Sequence, residues 1–383
     1  MSENIQRNDR PIIVGVDIRD LKKAKTGIKT YLEELQREFT HMNDDGISFR
    51  FIDTLLPVYS GPKKIWKWVE HFRYQLWKQI VLPLKAWGQK CDIVFCVDNC
   101  VPIVHLGYKT VHGLHDAFCF ESPESYGKLW LWLYKATTVP GARRSPLLVT
   151  ATEYGKKQIA HHVGIDPSKI VVVPDGPKRM NYNADDISGN HVLDRFPIKK
   201  HNYILHVGSM FKRKNIPTLV KAFVELKKTG YPDLKLVLAG SFITNQYDND
   251  HDVIKELIEQ NALQEQIITT GYLTDQEIGQ LYANALLYVF PSFNEGFGLP
   301  VLEAFEYNVP VIVSNNTCLP EVGGDAVLTF NPYKVEELVA KIQSVLDDPQ
   351  LRKDMIAKGI ERLKNFSWKR TANEIVEVFK RVG

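Results

Sequence analysis

The chain has 383 residues, of which 44% are hydrophobic and 24% charged, and its 48 Lys and Arg residues outnumber its 45 Asp and Glu residues by three. This length favours two domains, and the composition is typical of a soluble globular protein, which excludes a disordered or fibrous one. A net charge of +3 gives no indication of a nucleic-acid partner, and none is expected.

The cysteines and the N-terminus indicate a reduced, cytoplasmic protein. Five cysteines are present, and the first residues, MSENIQRNDRP, lack the apolar segment of a secretory signal. Cys91, Cys96 and Cys100 lie close together, but with His112 or His115 they match no zinc spacing, so a buried strand is the favoured interpretation. The apolar run LWLWLY at 129–134 is far shorter than the roughly 20 residues of a membrane span.

Short β-branched runs alternate with helical patterns along the chain, which predicts parallel sheets covered on both faces. The predicted strands are 12–18, 92–97, 109–114, 147–151, 170–174, 203–208, 234–240, 286–290 and 310–314. The series divides within the polar stretch 175–200. The expected fold class is therefore α/β, with two doubly wound, Rossmann-like domains joined by a linker.

A basic, aromatic segment occupies residues 63–90. It carries seven Lys or Arg residues and one acid, Glu70, with four tryptophans interleaved. A basic helix with interfacial aromatics is typical of membrane-surface segments, which suggests contact with an anionic membrane. The alternative is that part of its apolar face packs against its own domain.

The segment HGLHDAF, residues 112–118, follows a predicted strand in the N-terminal half. His115 and Asp116 could reach a sugar hydroxyl from this position. The alternative is an ordinary loop contact.

A second cluster, GSMFKRKN at 208–215, lies between a strand and a helix that begins near Asn215, a suitable N-cap, and stops near Gly230. Arg213 and Lys214 could both point at a diphosphate and neutralise the charge on a departing nucleotide. A solvated basic loop is the alternative interpretation.

The stretch PSFNEGFGLPVLEAFEYNVPV, residues 291–311, places Glu295 and Glu303 on either side of a glycine loop and a helix start. Gly296 and Gly298 allow close backbone approach, and free N–H groups at the helix start favour a phosphate. Glu303 could then accept hydrogen bonds from ribose hydroxyls. The acidic run Asp248-Asn249-Asp250 imitates a metal-binding motif, but its polar loop context indicates solvated surface.

These segments together resemble glycosyltransferase family 4, the retaining nucleotide-sugar transferases of GT-B architecture. The resemblance extends from TGIKTYLEEL through HDAF, ATEYGKKQI with VVVPDG, VGSMFKRKN and GYLTDQEI to NFSWKRTANEIVEVF, and its most specific part is the E-x7-E motif followed by LPEVGGDA. It implies two Rossmann-like domains facing each other across a cleft. Residues 1–185, with the helix 367–383 crossing back, would bind the acceptor, and residues 190–366 the donor.

The resemblance also implies a role for each residue that matches the family's motifs. The catalytic group, near the transferred sugar and the diphosphate, comprises His115, Arg213, Lys214 and Glu295. The donor-binding group comprises Gly27, Asp116, Gly208, Gly271, Tyr272, Leu273, Gly296, Phe297, Gly298, Leu299 and Glu303. Within it Glu303 would hold the ribose, and Gly271 to Leu273 would lie beside the base.

The chain departs from the family pattern in two places. Thr26-Gly27-Ile28-Lys29 stands where Gly-Gly-Ile-Gly is frequent, and GSMF lacks the Gly-Arg pair of some branches, which leaves Arg213 as the substitute.

The implied activity is that of a retaining, metal-independent hexosyltransferase without a cofactor. The donor would be a nucleotide-diphosphate sugar, with mannose from a guanosine donor preferred. The acceptor would be a glycan or a polyprenyl-linked saccharide in polysaccharide, lipopolysaccharide or glycoconjugate biosynthesis. The leaving diphosphate would help to deprotonate the acceptor hydroxyl while the protein stabilises charge. The expected location is the cytoplasm, with residues 63–90 attaching the protein peripherally to the inner face of the membrane.

Two other classes share parts of this pattern. Sugar-nucleotide 2-epimerases bind similar donors but lack the E-x7-E segment with its HD and FSW partners. A non-catalytic sugar-nucleotide-binding subunit would keep Lys214 and Glu303 and lose the sugar-facing groups, whereas His115 and Glu295 are present here. A transferase is therefore the leading hypothesis.

Overall fold

A computed structural model describes residues 10–22, 27–42, 44–54, 56–59, 61, 63–98, 100–179, 191–240 and 249–383. The chain divides into two compact units. The first comprises Met1–Ala151, Gly155–Asp175 and Trp368–Gly383, and the second comprises Thr152–Tyr154 and Gly176–Ser367.

The first unit is built on a six-stranded parallel sheet with the strand order β2-β1-β3-β4-β5-β6. Its strands are β1 Ile12–Asp17, β2 Ile47–Ile52, β3 Ile93–Cys96, β4 Lys109–Gly113, β5 Leu147–Thr150 and β6 Ile170–Val172. All four residues of β3 are buried, as expected for a central strand covered on both faces.

Helices cover this sheet. Those described are α1 Gly27–His41, α2 Lys64–Leu76, α3 Leu82–Gly88, α4 Phe118–Glu121, α5 Lys128–Arg144 and α6 Glu153–Ile159, with π-helical turns at Trp77–Val81 and Ala160–Gly164. The last helix of the chain, Trp368–Val382, also packs here, because Trp368 and Phe379 share a buried apolar cluster with Tyr31 of α1 and Phe95 of β3.

The second unit has its own six-stranded parallel sheet, in the order β12-β11-β10-β7-β8-β9. The strands are β7 Tyr203–Val207, β8 Lys235–Ala239, β9 Ile267–Gly271, β10 Leu287–Phe290, β11 Val311–Ser314 and β12 Val327–Phe330. The helices are α7 His191–Arg195, α8 Ile216–Lys228, α9 His251–Gln260, α10 Asp275–Asn284, α11 Leu299–Glu306, α12 Leu319–Gly323, α13 Val335–Asp347 and α14 Pro349–Leu363, and the C-terminal helix Trp368–Val382 is α15.

The α/β fold class and all nine predicted strands are confirmed, with strand ends that differ by no more than two residues. Three strands were missed: β2, β9 and β12. Each of them lies at the edge of its sheet. Their sequences, ISFRFI, IITTG and VLTF, contain polar residues that interrupt the apolar run by which the other strands were recognised, and an edge strand can keep such residues toward solvent.

Each strand order contains one point where the chain reverses direction across the sheet. In the first sheet this point lies between β1 and β3, and in the second it lies between β7 and β10. In open parallel sheets, a crevice opens at the carboxyl ends of the two strands beside such a point, and ligands bind there. The two positions are called the β1–β3 crevice and the β7–β10 crevice below.

Candidate active site

The β7–β10 crevice is bordered by two loops that are hydrogen-bonded to each other. After β7, a short 3₁₀ turn carries Lys212–Lys214, and its Arg213 carbonyl accepts a 2.7 Å hydrogen bond from the amide of Phe293 in the loop after β10. Asn215 occupies the N-cap position of α8 without capping it with its side chain. Instead, its amide group donates to the carbonyls of Pro291, after β10, and of Pro332, after β12, each at 3.0 Å, which ties the turn to both of these loops.

Two cations and one carboxylate meet in this crevice. Glu295 accepts from Arg213 at 2.9 Å and from the ammonium of Lys214 at 2.7 Å through the same oxygen. The Lys214 and Glu295 side chains are buried, whereas 33% of the Arg213 side chain is exposed to solvent. The cluster therefore carries a net charge of +1, which favours an anionic ligand.

The protonation of this cluster follows from burial and charge. Burial opposes ionisation of Glu295, but Arg213 and Lys214 together bring its pKa down to about 2. Burial lowers the pKa of Lys214 to about 8, against the opposing effect of the Glu295 charge. Both groups are ionised at neutral pH, and the Lys214 ammonium also lies 4.6 Å from the Phe290 ring centroid, a cation–π contact.

The backbone from Glu295 to Phe297 is held by neighbouring side chains. The Cys318 sulfur lies 3.1 Å from the Glu295 carbonyl and 3.2 Å from that of Phe297. Thr152 donates to the Gly296 carbonyl at 3.1 Å. Phe297 is buried with its ring 6.0 Å from that of Phe366. These contacts fix the loop that presents Glu295.

Glycines allow close backbone approach beside the crevice. Gly208 follows β7 with φ +152°, and a side chain at Gly240, which has φ +146°, would overlap the Gly208 carbonyl. Gly298 adopts φ +99° at the N-cap of α11, whose first residue is Leu299, and a Cβ there would lie 2.8 Å from Leu319. These conformations are accessible mainly to glycine.

Glu303 lies one turn into α11 and is buried. The Tyr282 hydroxyl donates to one of its oxygens at 3.2 Å. Burial raises the pKa of Glu303, and the nearby charge of Lys178 acts in the opposite direction.

The segment that the sequence placed beside the nucleotide base follows β9. Gly271 ends that strand with φ +72°. Tyr272 has 83% of its surface exposed, while Leu273 is buried. An exposed aromatic ring next to a fixed backbone is available for stacking.

The remaining predicted site residues lie in the first unit. The His115 ring packs edge-on against the Tyr31 ring, with 4.4 Å between the ring centroids. Burial, with a contribution from His112, lowers the pKa of His115 to about 4, so its imidazole is neutral. Asp116 accepts from the Phe118 amide at 3.1 Å, and Gly27 is the exposed first residue of α1.

Two polar groups in the first unit were missed by the sequence interpretation. Within the described residues, the Tyr31 hydroxyl and one oxygen of Asp175 are buried without a hydrogen-bond partner, as is Nε2 of His115. Burial raises the pKa of Asp175 to about 8. The available signal for Asp175 was its position just after the predicted strand 170–174, whereas Tyr31 lies on an apolar helix stripe that looks like core.

The structure shows that residues 63–90 form more than one helix and that part of the segment packs into its own unit. A π-helical turn, Trp77–Val81, separates α2 from α3, and Trp77 and Lys78 are 4% and 1% exposed. Trp77 donates to Asp17, and Lys78 donates to Asp17 and Asp98. Trp77 and Lys78 therefore belong to the part of this segment that packs against its own unit, which is the alternative stated for residues 63–90.

Side chains that could hold a metal ion come together in the first unit, within the described part of the chain. Asp17, Cys96 and Asp98 offer ligand atoms within 4.8 Å of one another, but the Lys78 ammonium already donates to both carboxylates. In the acidic run 248–250, Asp248 lies outside the described residues, and Asn249 accepts from the His251 amide at 3.1 Å.

Comparison with known proteins gives the family. Residues 27–177 match the family model "Glycosyltransferase Family 4", and residues 194–362 match "Glycosyl transferases group 1". The chain is 30% identical over 278 residues to the O-antigen chain mannosyltransferase B of Escherichia coli, covering 71% of this chain and 70% of that protein. The chain belongs to glycosyltransferase family 4. Family 4 enzymes are retaining glycosyltransferases of GT-B architecture, so this chain is a retaining glycosyltransferase.

Two further similarities agree with membership of family 4. The chain is 27% identical over 288 residues to the serotype-specific mannosyltransferase WbdA of Escherichia coli, which covers 74% of this chain and only 34% of that longer protein. The sucrose-phosphate synthase of Thermosynechococcus elongatus superposes with a TM-score of 0.71 at 18% identity, over 97% of this chain and 99% of that one. The latter match supports the GT-B fold.

Proposed function

We propose that the second unit binds a nucleotide-diphosphate sugar at the β7–β10 crevice, with Arg213 and Lys214 holding the diphosphate. The observation that carries this proposal is the net positive cluster of Arg213, Lys214 and Glu295 at the point where the sheet reverses direction. Glu295, with the backbone of Gly296 to Leu299, faces the sugar and phosphates, and Gly208 gives the phosphates room.

The remaining donor contacts follow from the same placement. Glu303 accepts hydrogen bonds from the ribose hydroxyls, and Gly271 to Leu273 lie beside the base. His115 and Asp116 contact the transferred sugar, and Gly27 contributes backbone from the start of α1. No cofactor is required, because the two cations stabilise the departing diphosphate without a metal ion.

The reaction transfers the sugar with retention at the anomeric carbon. The bond between that carbon and the diphosphate oxygen breaks while a bond to the acceptor oxygen forms on the same face. The acceptor proton passes to the leaving diphosphate. Arg213 and Lys214 stabilise the negative charge that develops there, and their fixed positions require no reorganisation during the step.

The relatives guide the choice of substrates. Both curated relatives described above are mannosyltransferases, and one is named for the O-antigen chain. Mannose is therefore the preferred donor sugar, and a guanosine nucleotide is proposed as its carrier from the family resemblance alone. The acceptor is a glycan or polyprenyl-linked saccharide of polysaccharide or lipopolysaccharide biosynthesis, and we propose that the enzyme works in the cytoplasm at the inner membrane face.

A thermal-shift panel of nucleotides and nucleotide sugars, each with and without chelator, tests the donor proposal. A ligand present at a hundred times its Kd adds roughly 2.7 kcal/mol to the folded state, and several degrees of shift are expected for a guanosine or uridine sugar regardless of chelator. Glu303→Ala should remove the shift. If no nucleotide stabilises the protein, the β7–β10 crevice is not a donor site.

Membrane attachment rests on the exposed face of α2 and α3. Among the described helices, none combines the length and apolar character that crossing a membrane requires. Large apolar side chains nevertheless remain exposed along this segment, including Ile65, Trp66, Trp68, Phe72, Ile80, Leu84 and Trp87. Aromatic side chains of this kind insert at the headgroup level, and the basic residues between them attract anionic lipids.

Vesicle sedimentation measures this attachment. Binding to vesicles of phosphatidylglycerol and phosphatidylcholine should weaken about tenfold or more when Trp66 and Trp68 are both replaced by Ala, because their insertion supplies much of the affinity. The matched control is a double variant in which Tyr272 and Tyr333, two exposed aromatic residues of the second unit, are both replaced by Ala. It should bind vesicles like the original chain. Weak binding that does not respond to salt would contradict an electrostatic contribution.

A further inference from the structure

The two buried carboxylates of the candidate site have different partners. Glu295 is paired with the cations of Arg213 and Lys214. Glu303, which is 8% exposed, has no ion-pair partner among the described residues and accepts a hydrogen bond from the Tyr282 hydroxyl at 3.2 Å. A buried carboxylate is costly unless it is paired or hydrogen-bonded. The orientation and charge of Glu303 therefore depend on a neutral hydroxyl group.

Tyr282 is itself held in place by the residues around it. Its side chain lies on α10 and is completely buried. One neighbour is the Tyr307 ring, which is stacked on the Tyr282 ring with 5.7 Å between centroids and 3° between planes. The other is the Tyr288 ring, whose centroid lies 5.4 Å away at an angle of 53°. Because close-packed rings cannot rotate independently, the Tyr282 hydroxyl reaches Glu303 at a fixed point.

The hydrogen bond from Tyr282 determines which way the Glu303 carboxylate faces. The terminal torsion of a glutamate side chain has broad, weak preferences, so an unsupported carboxylate can turn easily. Tyr282 donates to the Oε2 atom of Glu303. A carboxylate accepts hydrogen bonds through both oxygens, so the Oε1 atom keeps its lone pairs for a ligand. The direction of Oε1 is therefore set from the buried side of the helix.

We propose that Tyr282 is a positioning residue, which holds Glu303 in the orientation that receives the ribose hydroxyls of the donor. It thereby sets how strongly the site prefers a ribonucleotide to a nucleotide that lacks these hydroxyls. This inference rests on the proposed function, in which Glu303 contacts the ribose, and adds a residue that acts through Glu303. Tyr282 does not touch the nucleotide, since none of its surface is exposed.

The charges around Glu303 agree with this role. Burial raises the pKa of Glu303, and the hydrogen bond from Tyr282 opposes this effect because it stabilises the ionised form. The charge of Lys178 also lowers this pKa, whereas Asp275 and Glu306 raise it. Lys178 is paired with Asp275 at 2.7 Å, which offsets part of its charge. The hydroxyl of Tyr282 is thus the direct support for an ionised Glu303.

Isothermal titration of the full chain with GDP and with 2′,3′-dideoxy-GDP tests the proposal, and the two corresponding uridine nucleotides are used if the nucleotide panel selects uridine. The original chain should bind the ribonucleotide about tenfold or more tightly than the dideoxy nucleotide, because hydrogen bonds to a charged group are lost in the latter. Tyr282→Phe keeps the ring and removes the hydroxyl. It should reduce this ratio to about threefold or less and leave binding of the dideoxy nucleotide within about twofold.

Two further variants separate positioning from general stability. Tyr203→Phe removes another buried hydroxyl, which donates to the carbonyl of Leu281 in α10 at 2.6 Å, and it should keep the ratio of the original chain. In a chain that carries Glu303→Ala, adding Tyr282→Phe should leave the ratio unchanged, because the hydroxyl acts only through the carboxylate.

The outcomes distinguish this inference from the donor proposal. Tyr282 has no positioning role if Tyr282→Phe keeps the ratio of the original chain, or if Tyr203→Phe lowers the ratio equally. A further decrease on adding Tyr282→Phe to Glu303→Ala would also contradict it. Equal binding of the two nucleotides by the original chain would instead refute the ribose contact of Glu303. If no nucleotide binds the original chain, the donor site itself is refuted.

Discussion

Replacing Lys214 by Ala is expected to lower kcat by about 10²- to 10³-fold, the usual cost of removing one fixed donor from a developing negative charge. The ammonium of Lys214 is buried and lies 2.7 Å from Glu295, so its position is fixed before the donor arrives. Without it, the departing diphosphate keeps only Arg213 as a cationic partner in this cluster. Steady-state transfer from the donor identified by the nucleotide panel measures the loss.

Lys212 provides the matched control for this substitution. It lies two residues away in the same 3₁₀ turn but is exposed to solvent. Lys212→Ala should stay within about twofold of the original kcat, since an exposed charge contributes little. Equal losses in the two variants would show that the turn acts through its general basic charge and not through the Lys214 position.

The pKa of Lys214 also predicts how donor affinity changes with pH. The protonated side chain binds the diphosphate, and burial lowers its pKa to about 8. Affinity should therefore be constant below this value and fall as the pH rises through it, approaching about tenfold per pH unit. Lys214→Arg should bind with little change over the same range, because a guanidinium does not titrate there. A pH-dependent decrease that survives in Lys214→Arg would assign the titration to another group.

Replacing Lys78 by Met is expected to destabilise the first unit by about 3–5 kcal/mol. The substitution leaves Asp17 and Asp98 buried without their shared cation, and breaking a buried ion pair from one side has this cost. For a unit of this size, the loss corresponds to a decrease in Tm of about 10 °C. Differential scanning calorimetry should show it in the transition of the first unit.

Two variants make this result interpretable. Lys128→Met changes an exposed lysine of the same unit and should shift the Tm by little. Adding Asp98→Asn to Lys78→Met removes one of the stranded charges and should recover part of the lost stability. A double variant that is less stable than Lys78→Met would show that the cluster is held by packing and not by charge.

Much of the candidate site in the second unit could be predicted because its charged side chains lie just after the ends of strands. Arg213 and Lys214 follow β7, and Glu295 follows β10. Both strands are fully buried, and the carboxyl ends of parallel strands meet at one edge of the sheet. The structure brings these three side chains into one cluster. The sequence could not show that Glu295 pairs with both cations, because the pairing depends on how far each side chain is buried in the crevice.

The charge cluster of the first unit escaped prediction for a different reason. Sequence periodicity assumes 3.6 residues per turn, and a π-helical turn contains an extra residue that rotates the helix face. Trp77 and Lys78 therefore point into the unit although the surrounding pattern placed them on its surface. Asp17 and Asp98 were available as acids at strand ends, but no spacing in the chain connects either of them to Lys78.

Cys318 gives the second unit a chemical reporter of loop opening. Its thiol is fully buried, and burial raises its pKa well above the ordinary value, so a thiol reagent cannot react while the sulfur contacts the carbonyls of Glu295 and Phe297. Alkylation at this position can proceed only in molecules whose loop has left its place. The labelling rate of Cys318 would thus record how often this part of the enzyme opens, and a ligand that holds the loop closed would slow the labelling in proportion to its occupancy.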